Sequence, residues 1–427
     1  MKLTRRRVLL ALLILVPVVL AGGCILVTRD EAPPDDSDLA VMRSSVKVEE
    51  NGFRLLAALQ APKPMMHVAE DGVEEELDVG TPFGKDWNPQ AAERFLAENP
   101  TLLEALDQLL AAAWLQFPRL ESFDDSTDYL TRVREVSDAV AYRVCLRQEK
   151  GDDRGALQDA VSLVRLGRRV QRAEGVLLAC LVGMACESRG LGLARELVQT
   201  SRLPDEEIQS FLVALEEGAL EDAGLRLALK MEHQLLCKLM DAFGSGEEVP
   251  GALDQTTAGK LRALPFPRGL TIQPNKCRRL SAEYFRPLIR YRAPWKDPGQ
   301  RFSLGGDLPP VQFSWWPSAN LLGKVLLSLF LPNNASSLNV LCELHAESAS
   351  PALLFALRRY RRDQGQLPAK LDDLVPRYLD RVPIDPFELK ALRYSRDKSL
   401  VYPPRSSSTS DARGCADEDV CAWKIRP

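Results

Sequence analysis

Histidine is scarce in this sequence of 427 residues, which contains only His67, His233 and His345. So few imidazoles leave little for histidine-based catalysis or for a metal site built from several histidines. The sequence also lacks a Walker loop, a dinucleotide-binding glycine fingerprint, a Gly-x-Ser-x-Gly elbow and a His-Glu-x-x-His helix. Glu343 and Glu347 flank His345, but on a helix a two-residue offset points the imidazole away from both acids, so we expect no ligand role there.

Cysteine and basic charge are also limited. Nine cysteines show no regular framework and agree only loosely with an oxidising compartment. Cys415 and Cys421 are the best disulfide candidates, because they bracket the acidic loop Ala416–Val420. Beyond the first 29 positions, 50 basic residues face 59 acidic ones, a net charge of about −9. Such a surface argues against non-specific nucleic-acid binding, which needs basic patches.

One uncharged apolar stretch, Val8 to Thr28, has 21 residues, close to the ~20 helical residues that cross a bilayer core. Basic residues precede it and acids follow it: Lys2, Arg5, Arg6 and Arg7 before, and Asp30, Glu31, Asp35, Asp36 and Asp38 after. This charge bias predicts a single-pass anchor in a bacterial cytoplasmic membrane, with the N-terminus in the cytosol and the bulk of the chain in the periplasm or another extracytoplasmic space.

Three kinds of processing are open for residues 1–29. Leu20 to Cys24 resembles a lipoprotein signal that would lipidate Cys24, although Leu20 stands one place too far upstream. Thr4 to Leu9 resembles a twin-arginine export signal, although the apolar region of such signals is usually less hydrophobic than this one. An uncleaved anchor is the simplest interpretation, because the stretch exceeds a usual signal-peptide core.

The rest of the chain divides by composition into a solvated linker over 30–45, a helical domain over 46–243 and two further segments. Asn88-Pro89 and Asn99-Pro100 each predict a capped helix start. Further helices are expected at about 156–170, at about 176–198 and from Pro204 onward, because their apolar residues recur at helical spacing. Short turns between such helices predict a helical-hairpin array or bundle. Lys150 to Leu157 resembles the turn of a tetratricopeptide-type hairpin, without a strict repeat.

Over residues 244–320 the amino-acid composition changes. Prolines recur there and predict that long regular helices are absent. Its aromatic residues either form a binding loop or cover the helical core, and we favour the second interpretation. Leu321 to Leu331 is apolar but too short to span a membrane, so we expect a buried core helix rather than an interfacial one. Together, these features predict a mainly α fold.

The segment 321–427 is expected to hold a helix and a small α+β tail. Ser350-Pro351 predicts a helix start, Gly365 a left-handed helix end, Leu371 to Val375 a buried turn, and Leu392 to Tyr394 a strand. Arginines end this helix, and helix-dipole complementation with solvation explains them better than an anionic partner does: Arg358, Arg359, Arg361 and Arg362.

The order of these features over about 350–402, including Pro368 and the Asp385-Pro386-Phe387 turn, resembles the C-terminal globular part of type II secretion major pseudopilins. The departures are large, because no prepilin cleavage motif is visible and more than 300 residues separate the anchor from the matching part. Polymerisation into a pseudopilus is therefore not implied. The remaining sequence resembles exported helical bacterial proteins.

The resemblance also raises the question of calcium, since family members bind it in the terminal loop. The nearby acids of this sequence do not match that order clearly, and we favour a solvated acidic loop and no cofactor: Asp411, Asp417, Glu418 and Asp419.

The leading functional hypothesis is a non-enzymatic, membrane-anchored helical scaffold that acts through contacts with a protein partner. A first alternative is an accessory component of a type II secretion or pilus-like assembly. A second is a cell-envelope enzyme whose carboxylate site the sequence does not identify; it requires a deep pocket that holds two acids with shifted pKa values.

Overall fold

The computed structural model describes residues 29–64, 66–68, 74–76, 78–120, 125–218, 222–245, 272–290, 320–403 and 422–426. The predicted anchor Val8 to Thr28, the terminal acidic loop and most of the segment 244–320 lie outside the described residues. The same holds for the predicted lipidation site Cys24 and the predicted disulfide partners Cys415 and Cys421.

The described residues are mainly helical, which confirms the predicted fold class at that coarse level. They form eleven α-helices: α1 Phe53–Ala58, α2 Pro89–Glu98, α3 Pro100–Ala111, α4 Asp128–Glu149, α5 Asp153–Gln171, α6 Leu177–Thr200, α7 Asp205–Glu216, α8 Ala223–Ser245, α9 Pro274–Arg290, α10 Leu321–Phe330 and α11 Pro332–Gln364. Short 3-10 helices cover Ser37–Leu39, Val48–Glu50 and Leu371–Leu374.

Strands are few and short in the described part of the chain, and every pairing there is antiparallel. Two pairs stand alone, β1 Met66–Val68 with β2 Glu74–Glu76 and β3 Ile384–Asp385 with β4 Lys390–Ala391. A three-stranded sheet has the order β5 Arg393–Ser395, β6 Leu400–Tyr402 and β7 Trp423–Lys424.

The turn between α4 and α5 lies where the sequence predicts a hairpin. Gly151 adopts a left-handed φ of 78°, which a residue without a Cβ accepts at little cost. The Asp152 side chain then caps α5 by accepting a hydrogen bond from the Gly155 N–H at 2.9 Å. A left-handed residue followed by an N-cap therefore reverses the chain within a few residues.

The backbones of α5 and α6 approach each other closely through glycines. A Cβ atom on Gly167 would lie 2.5 Å from the Glu187 nitrogen and 2.6 Å from the Gly183 oxygen. A Cβ on Gly190 would lie 2.9 Å from the Val164 nitrogen. Because no side chain fits these spaces, the glycines determine how closely α5 and α6 pack.

A buried ion pair joins α5 to α6 and to the end of α7. Arg168 Nε donates to Glu187 Oε1 at 2.7 Å, and both side chains are almost fully buried. Arg168 Nη1 also donates to the carbonyl oxygens of Leu215 at 2.7 Å and Glu217 at 2.8 Å. These hydrogen bonds offset the loss of hydration that burying two charges entails.

The main hydrophobic core draws on helices from both halves of the chain. Leu106, Leu157, Leu191, Phe285 and Leu341, which come from α3, α5, α6, α9 and α11, lie in one buried cluster. In α10, Leu327 is fully buried in the same cluster, which agrees with the core helix expected there.

A second buried cluster forms where the end of α11 packs on the three-stranded sheet. Leu353 and Leu357 of α11 lie there with Leu374, Val401 and Trp423. Gly365 ends α11 with a φ of 70°, which confirms the predicted left-handed cap. The tail is therefore a helix on a small antiparallel sheet.

Two predictions about proline are wrong. The 17-residue helix α9 occupies a segment predicted to lack long helices: Pro274 stands at its first position, where no N–H is needed, and Pro287 lies in its last turn. The helix predicted to begin at Ser350-Pro351 instead runs unbroken as α11. Pro351 has no N–H for the Glu347 carbonyl, and the Ser350 hydroxyl donates to that oxygen at 2.7 Å instead.

Two helical stretches of the described chain are long and apolar enough to cross a membrane by length and composition, Leu177–Thr200 and Ser337–Gln364. Most of the apolar window is buried inside the protein in each, 61% and 72%. Both stretches therefore pack as core helices of the folded body do.

Candidate functional site

Four polar side chains from three separate parts of the chain meet beside α8. His233 and Cys237 are four residues apart on α8 and so share one face of that helix. Ser281 comes from α9, and Asp36 comes from the segment that follows the predicted anchor. We call Asp36, His233 and Cys237, with Ser281 behind the imidazole, the polar cluster.

The distances in the polar cluster are short. His233 Nδ1 lies 2.8 Å from Ser281 Oγ, and His233 Nε2 lies 3.4 Å from Asp36 Oδ2. Cys237 Sγ lies 3.6 Å from Nε2 and 3.8 Å from Nδ1 of the same ring. One ligand atom from each of Asp36, His233 and Cys237 lies within 4.8 Å of the others.

Burial controls the charge of the cluster. His233 is 1% exposed and its ring meets Phe285 edge to face, with 5.8 Å between the ring centroids. Desolvation lowers the pKa of His233 and raises that of the Cys237 thiol to about 12, so near pH 7 both are neutral in the absence of a ligand. The Asp36 side chain is 28% exposed and gives the cluster its contact with solvent.

Arg278 is the cation next to the cluster. Its Nε lies 3.9 Å from Asp36 Oδ2, and its Nη2 donates to Asp241 at 2.8 Å. The guanidinium therefore offsets part of the negative charge of two carboxylates on one side of the cluster.

Residues 29–39, which we call the strap, hold Asp36 in place. The Asp30 carboxylate accepts hydrogen bonds from the N–H groups of Asn275 at 2.8 Å and Lys276 at 3.2 Å, and so caps the start of α9. Glu31 pairs with Arg279 through two hydrogen bonds of 2.7 and 3.1 Å.

The far end of the strap is also fastened to α9. Arg286 pairs with Asp38 at 2.9 Å and donates to the Asp35 carbonyl at 2.6 Å, while Leu39 is buried. The sequence predicts a solvated linker over 30–45, and most strap side chains do reach solvent. The structure differs from the predicted linker in one respect, because these contacts attach the strap to the folded body.

The arginines that end α11 have partners within the protein. Arg358 donates to the carbonyl oxygens of Val198 at 2.8 Å and Ser201 at 2.7 Å, at the C-terminal end of α6. Arg359 pairs with Asp205 at 3.1 Å, and Arg362 pairs with the same carboxylate at 2.7 Å. Arg361 donates to the Arg426 carbonyl at 2.7 Å. Arg358, Arg359 and Arg362 attach the end of α11 to α6 and α7, whereas Arg361 joins it to the segment after β7. Solvation and helix-dipole complementation, which the sequence favours, therefore do not account for these arginines, because each has a partner in the folded protein.

Glu343, His345 and Glu347 do not form a joint site in the described structure. Glu343 and Glu347 are buried and His345 is partly exposed, so one helix face does not carry all three. Glu347 accepts a hydrogen bond from Ser188 of α6. The six cysteines within the described residues are buried thiols: Cys145, Cys180, Cys186, Cys237, Cys277 and Cys342.

Two clefts lie on the described surface. A cleft of about 410 Å³ is lined by Glu49, Glu50 and Gly52 among others, and both of its acids are exposed. A second cleft of about 390 Å³ lies between α5 and α7, and its acid Glu207 pairs with Arg154 at 2.6 Å. Neither cleft brings two buried acids together.

No family model, curated protein or solved structure matches this chain. The polar cluster therefore has to be interpreted from its own geometry. In the sequence, His233 stands out only as one of three histidines, and its spacing of four residues from Cys237 is the one local signal for this site.

Proposed function

We propose that this protein is a non-enzymatic helical scaffold, tethered by its N-terminal segment to the outer face of a bacterial cytoplasmic membrane and acting through protein contacts. The observation that supports it is the strap. Asp30 is already hydrogen-bonded to the start of α9, two residues after the end of the predicted anchor at Thr28. Two extended residues span at most about 7 Å, so the body would be held close to the membrane surface.

The ion pairing of two buried acids and the acids that line the two described clefts favour a scaffold over an envelope enzyme. The buried acid Asp159 pairs with Arg143 at 2.8 Å, and Glu187 pairs with Arg168 at 2.7 Å. An enzyme of the carboxylate type needs two acids with shifted pKa values in one accessible pocket. Within the described residues the clefts offer exposed or ion-paired acids instead.

The test combines topology with partner capture. Full-length protein with an affinity tag is crosslinked in membranes and captured, and spheroplasts are treated with external protease. We expect digestion of the body from outside and recovery of a reproducible set of partners. Full protection from the protease, or unchanged behaviour in the cytosol after removal of residues 1–28, would contradict the proposal.

The strap offers a matched control for the capture. Glu31→Arg places a second cation next to Arg279, and the two cations repel each other. This variant should release one strap contact and so reduce partner recovery. Glu31→Arg combined with Arg279→Glu restores an opposite-charge pair and should restore recovery. Equal partner recovery by all three proteins would show that partner binding does not depend on how the strap holds the body.

A second candidate function is supported by the tail. Leu353, Leu357 and Trp423 join the end of α11 to a small antiparallel sheet, the kind of arrangement expected from the pseudopilin resemblance. We propose, as the alternative, that this tail docks beside pseudopilins in a type II secretion or pilus-like assembly. Capture that recovers no secretion component from a strain that expresses the system would exclude it.

A further inference from the structure

We infer that Asp36, His233 and Cys237 bind a divalent transition-metal ion of the zinc class. The three residues supply a carboxylate oxygen, an imidazole nitrogen and a thiolate sulfur, the donor types that Zn²⁺ takes in proteins. They converge from α8 and from the strap, although 197 positions separate Asp36 from His233. The inference does not depend on the scaffold proposal, because it concerns only the polar cluster.

The distance between the oxygen and nitrogen ligand atoms fits a tetrahedral ion, and the sulfur lies within 4.8 Å of both. With Zn–N and Zn–O bonds of about 2.0 Å and a Zn–S bond of about 2.3 Å, tetrahedral angles place N and S about 3.6 Å apart and N and O about 3.3 Å apart. Cys237 Sγ lies 3.6 Å from His233 Nε2, and Asp36 Oδ2 lies 3.4 Å from the same nitrogen. The oxygen–nitrogen edge is therefore already at ligand spacing. Because Cys237 Sγ is almost equally far from Nδ1, at 3.8 Å, the sulfur lies beside the ring, and its side chain would have to rotate to face an ion on Nε2.

Ser281 supplies the support that a histidine ligand normally has. Its Oγ lies 2.8 Å from His233 Nδ1, and it is 1% exposed. When Nδ1–H donates to this oxygen, Nε2 keeps its lone pair on the side of Asp36. A hydrogen bond from the second ring nitrogen fixes the tautomer and the ring orientation in most metal-ligating histidines.

The partly exposed side of the cluster allows an ion to enter. The Asp36 side chain is 28% exposed, so a water molecule can complete the fourth position there. Arg278 lies on the same side and is equally exposed, with its Nε 3.9 Å from Asp36 Oδ2. We infer that its guanidinium balances Asp36 when no metal is bound and moves toward Asp241 and solvent when one is.

A metal at this position would join the strap to α8. The strap is otherwise fastened mainly to α9, through the pairs of Glu31 with Arg279 and of Asp38 with Arg286. An ion held by Asp36, His233 and Cys237 would strengthen the link between the strap and α8, which a hydrogen bond from Gln234 to the Leu39 carbonyl already makes at 3.5 Å. Metal binding would therefore slow the release of residues 29–39 from the body.

The first measurement uses full-length protein purified in detergent. After equilibration with Zn²⁺ and removal of excess ion, we expect about one bound zinc per chain by elemental analysis. Co²⁺ should give the absorption of a tetrahedral cobalt–thiolate site, and Zn²⁺ should displace it. Hydrogen exchange at residues 29–39 should slow when zinc is added. Wild-type protein that retains no zinc and shows no cobalt–thiolate absorption would overturn the inference.

Variants then locate the ion. Asp36→Asn and Cys237→Ser should each weaken zinc affinity by at least about tenfold, and Cys237→Ser should abolish the cobalt–thiolate absorption. Asp38→Asn is the matched control, because it removes a strap carboxylate paired with Arg286 but outside the cluster, and it should bind zinc as wild type does. Arg278→Gln should tighten binding by removing a competing positive charge.

The Asp36 variant separates a loss of metal binding from a folding defect. Asp36 is a partly exposed residue of the strap, so its replacement leaves the helical core intact. A cobalt–thiolate band that persists in Cys237→Ser, or equal loss of affinity in Asp36→Asn and Asp38→Asn, would assign the ion to another site and overturn the inference.

Discussion

At the scale of single residues, the contact between α5 and α6 depends on the absence of side chains. Gly167 and Gly183 face each other so closely that a Cβ atom on either would meet backbone atoms at 2.5 to 2.7 Å. Backbone atoms cannot turn away as a flexible side chain can. The two helices would therefore have to move apart if either glycine changed.

Gly167→Ala should lower the free energy of unfolding by about 1–3 kcal/mol, because one added methyl group forces α5 and α6 apart. Gly192→Ala, also within a helix, is the control. A Cβ there meets only the end of Arg195 at 3.6 Å, so alanine should raise stability by up to about 1 kcal/mol. Urea unfolding measures both changes, and equal effects of the two substitutions would contradict this account.

The polar cluster shows where residue-level prediction from sequence stops. His233 and Cys237 could be grouped in advance, because their four-residue spacing places them on one helix face. Asp36 and Ser281 could not, because tertiary packing brings them in from the strap and from α9. Composition suggested an acidic linker, and nothing local distinguished Asp36 from the acids beside it.

At the scale of elements, α11 continues through Pro351 because a neighbouring side chain replaces the missing donor. Ser350 is fully buried, and its hydroxyl donates to the Glu347 carbonyl at 2.7 Å. A buried carbonyl without a donor costs about 1–3 kcal/mol, which is large beside the stability of a domain.

Ser350→Ala should therefore lower the free energy of unfolding by about 1–3 kcal/mol. Ser350→Ala combined with Pro351→Ala should regain most of this loss, because an alanine in place of the proline brings its own N–H to the Glu347 carbonyl. Ser348→Ala serves as the control at a partly exposed serine whose hydroxyl also bonds a helix carbonyl, and it should change stability by less than about 0.5 kcal/mol. Failure of the double variant to recover in urea unfolding would refute the role given to Ser350.

Helical elements were predictable where their signals are local. Asn88 caps α2 by accepting from the Ala91 N–H, as the sequence predicts. The predicted cap by Asn99 is wrong, because its side-chain oxygen accepts from the Lys63 N–H instead of from α3. The errors occur where a distant acceptor or an unusual donor acts, as with the Asp30 carboxylate capping α9 and the Ser350 hydroxyl replacing an N–H in α11. Such compensation arises only after the chain has folded, so a rule that treats each proline separately misses it.

At the scale of the whole molecule, the tail is docked to the helical body by charge. The Asp205 carboxylate, at the start of α7, pairs with Arg362 and Arg359 of α11. The hydrogen bond from Arg362 is the main cause of the lowered pKa of Asp205. Because this carboxylate stays in contact with solvent, screening keeps its contribution to stability small.

The docking should weaken in acid. A carboxylate whose pKa is lower in the folded than in the unfolded chain stabilises the fold above its usual pKa of about 3.8, and this stabilisation is lost as pH falls through the folded value. Asp205→Asn should therefore show a smaller loss of melting temperature between about pH 5 and pH 2 than wild type. Asp372→Asn, an exposed acid 3.9 Å from Lys370, should keep the wild-type slope. Identical slopes in all three proteins would contradict the role of Asp205.

Helix α11 has a mechanical consequence. Its 33 residues form a rod about 50 Å long that touches α10 near its beginning, α6 and α7 along its length, and the small sheet at its end. A force applied to the sheet would be transmitted along this helix to the centre of the bundle, because no hinge interrupts it. The contact between α11 and α6, the most extensive one that α11 makes, would then carry most of the load.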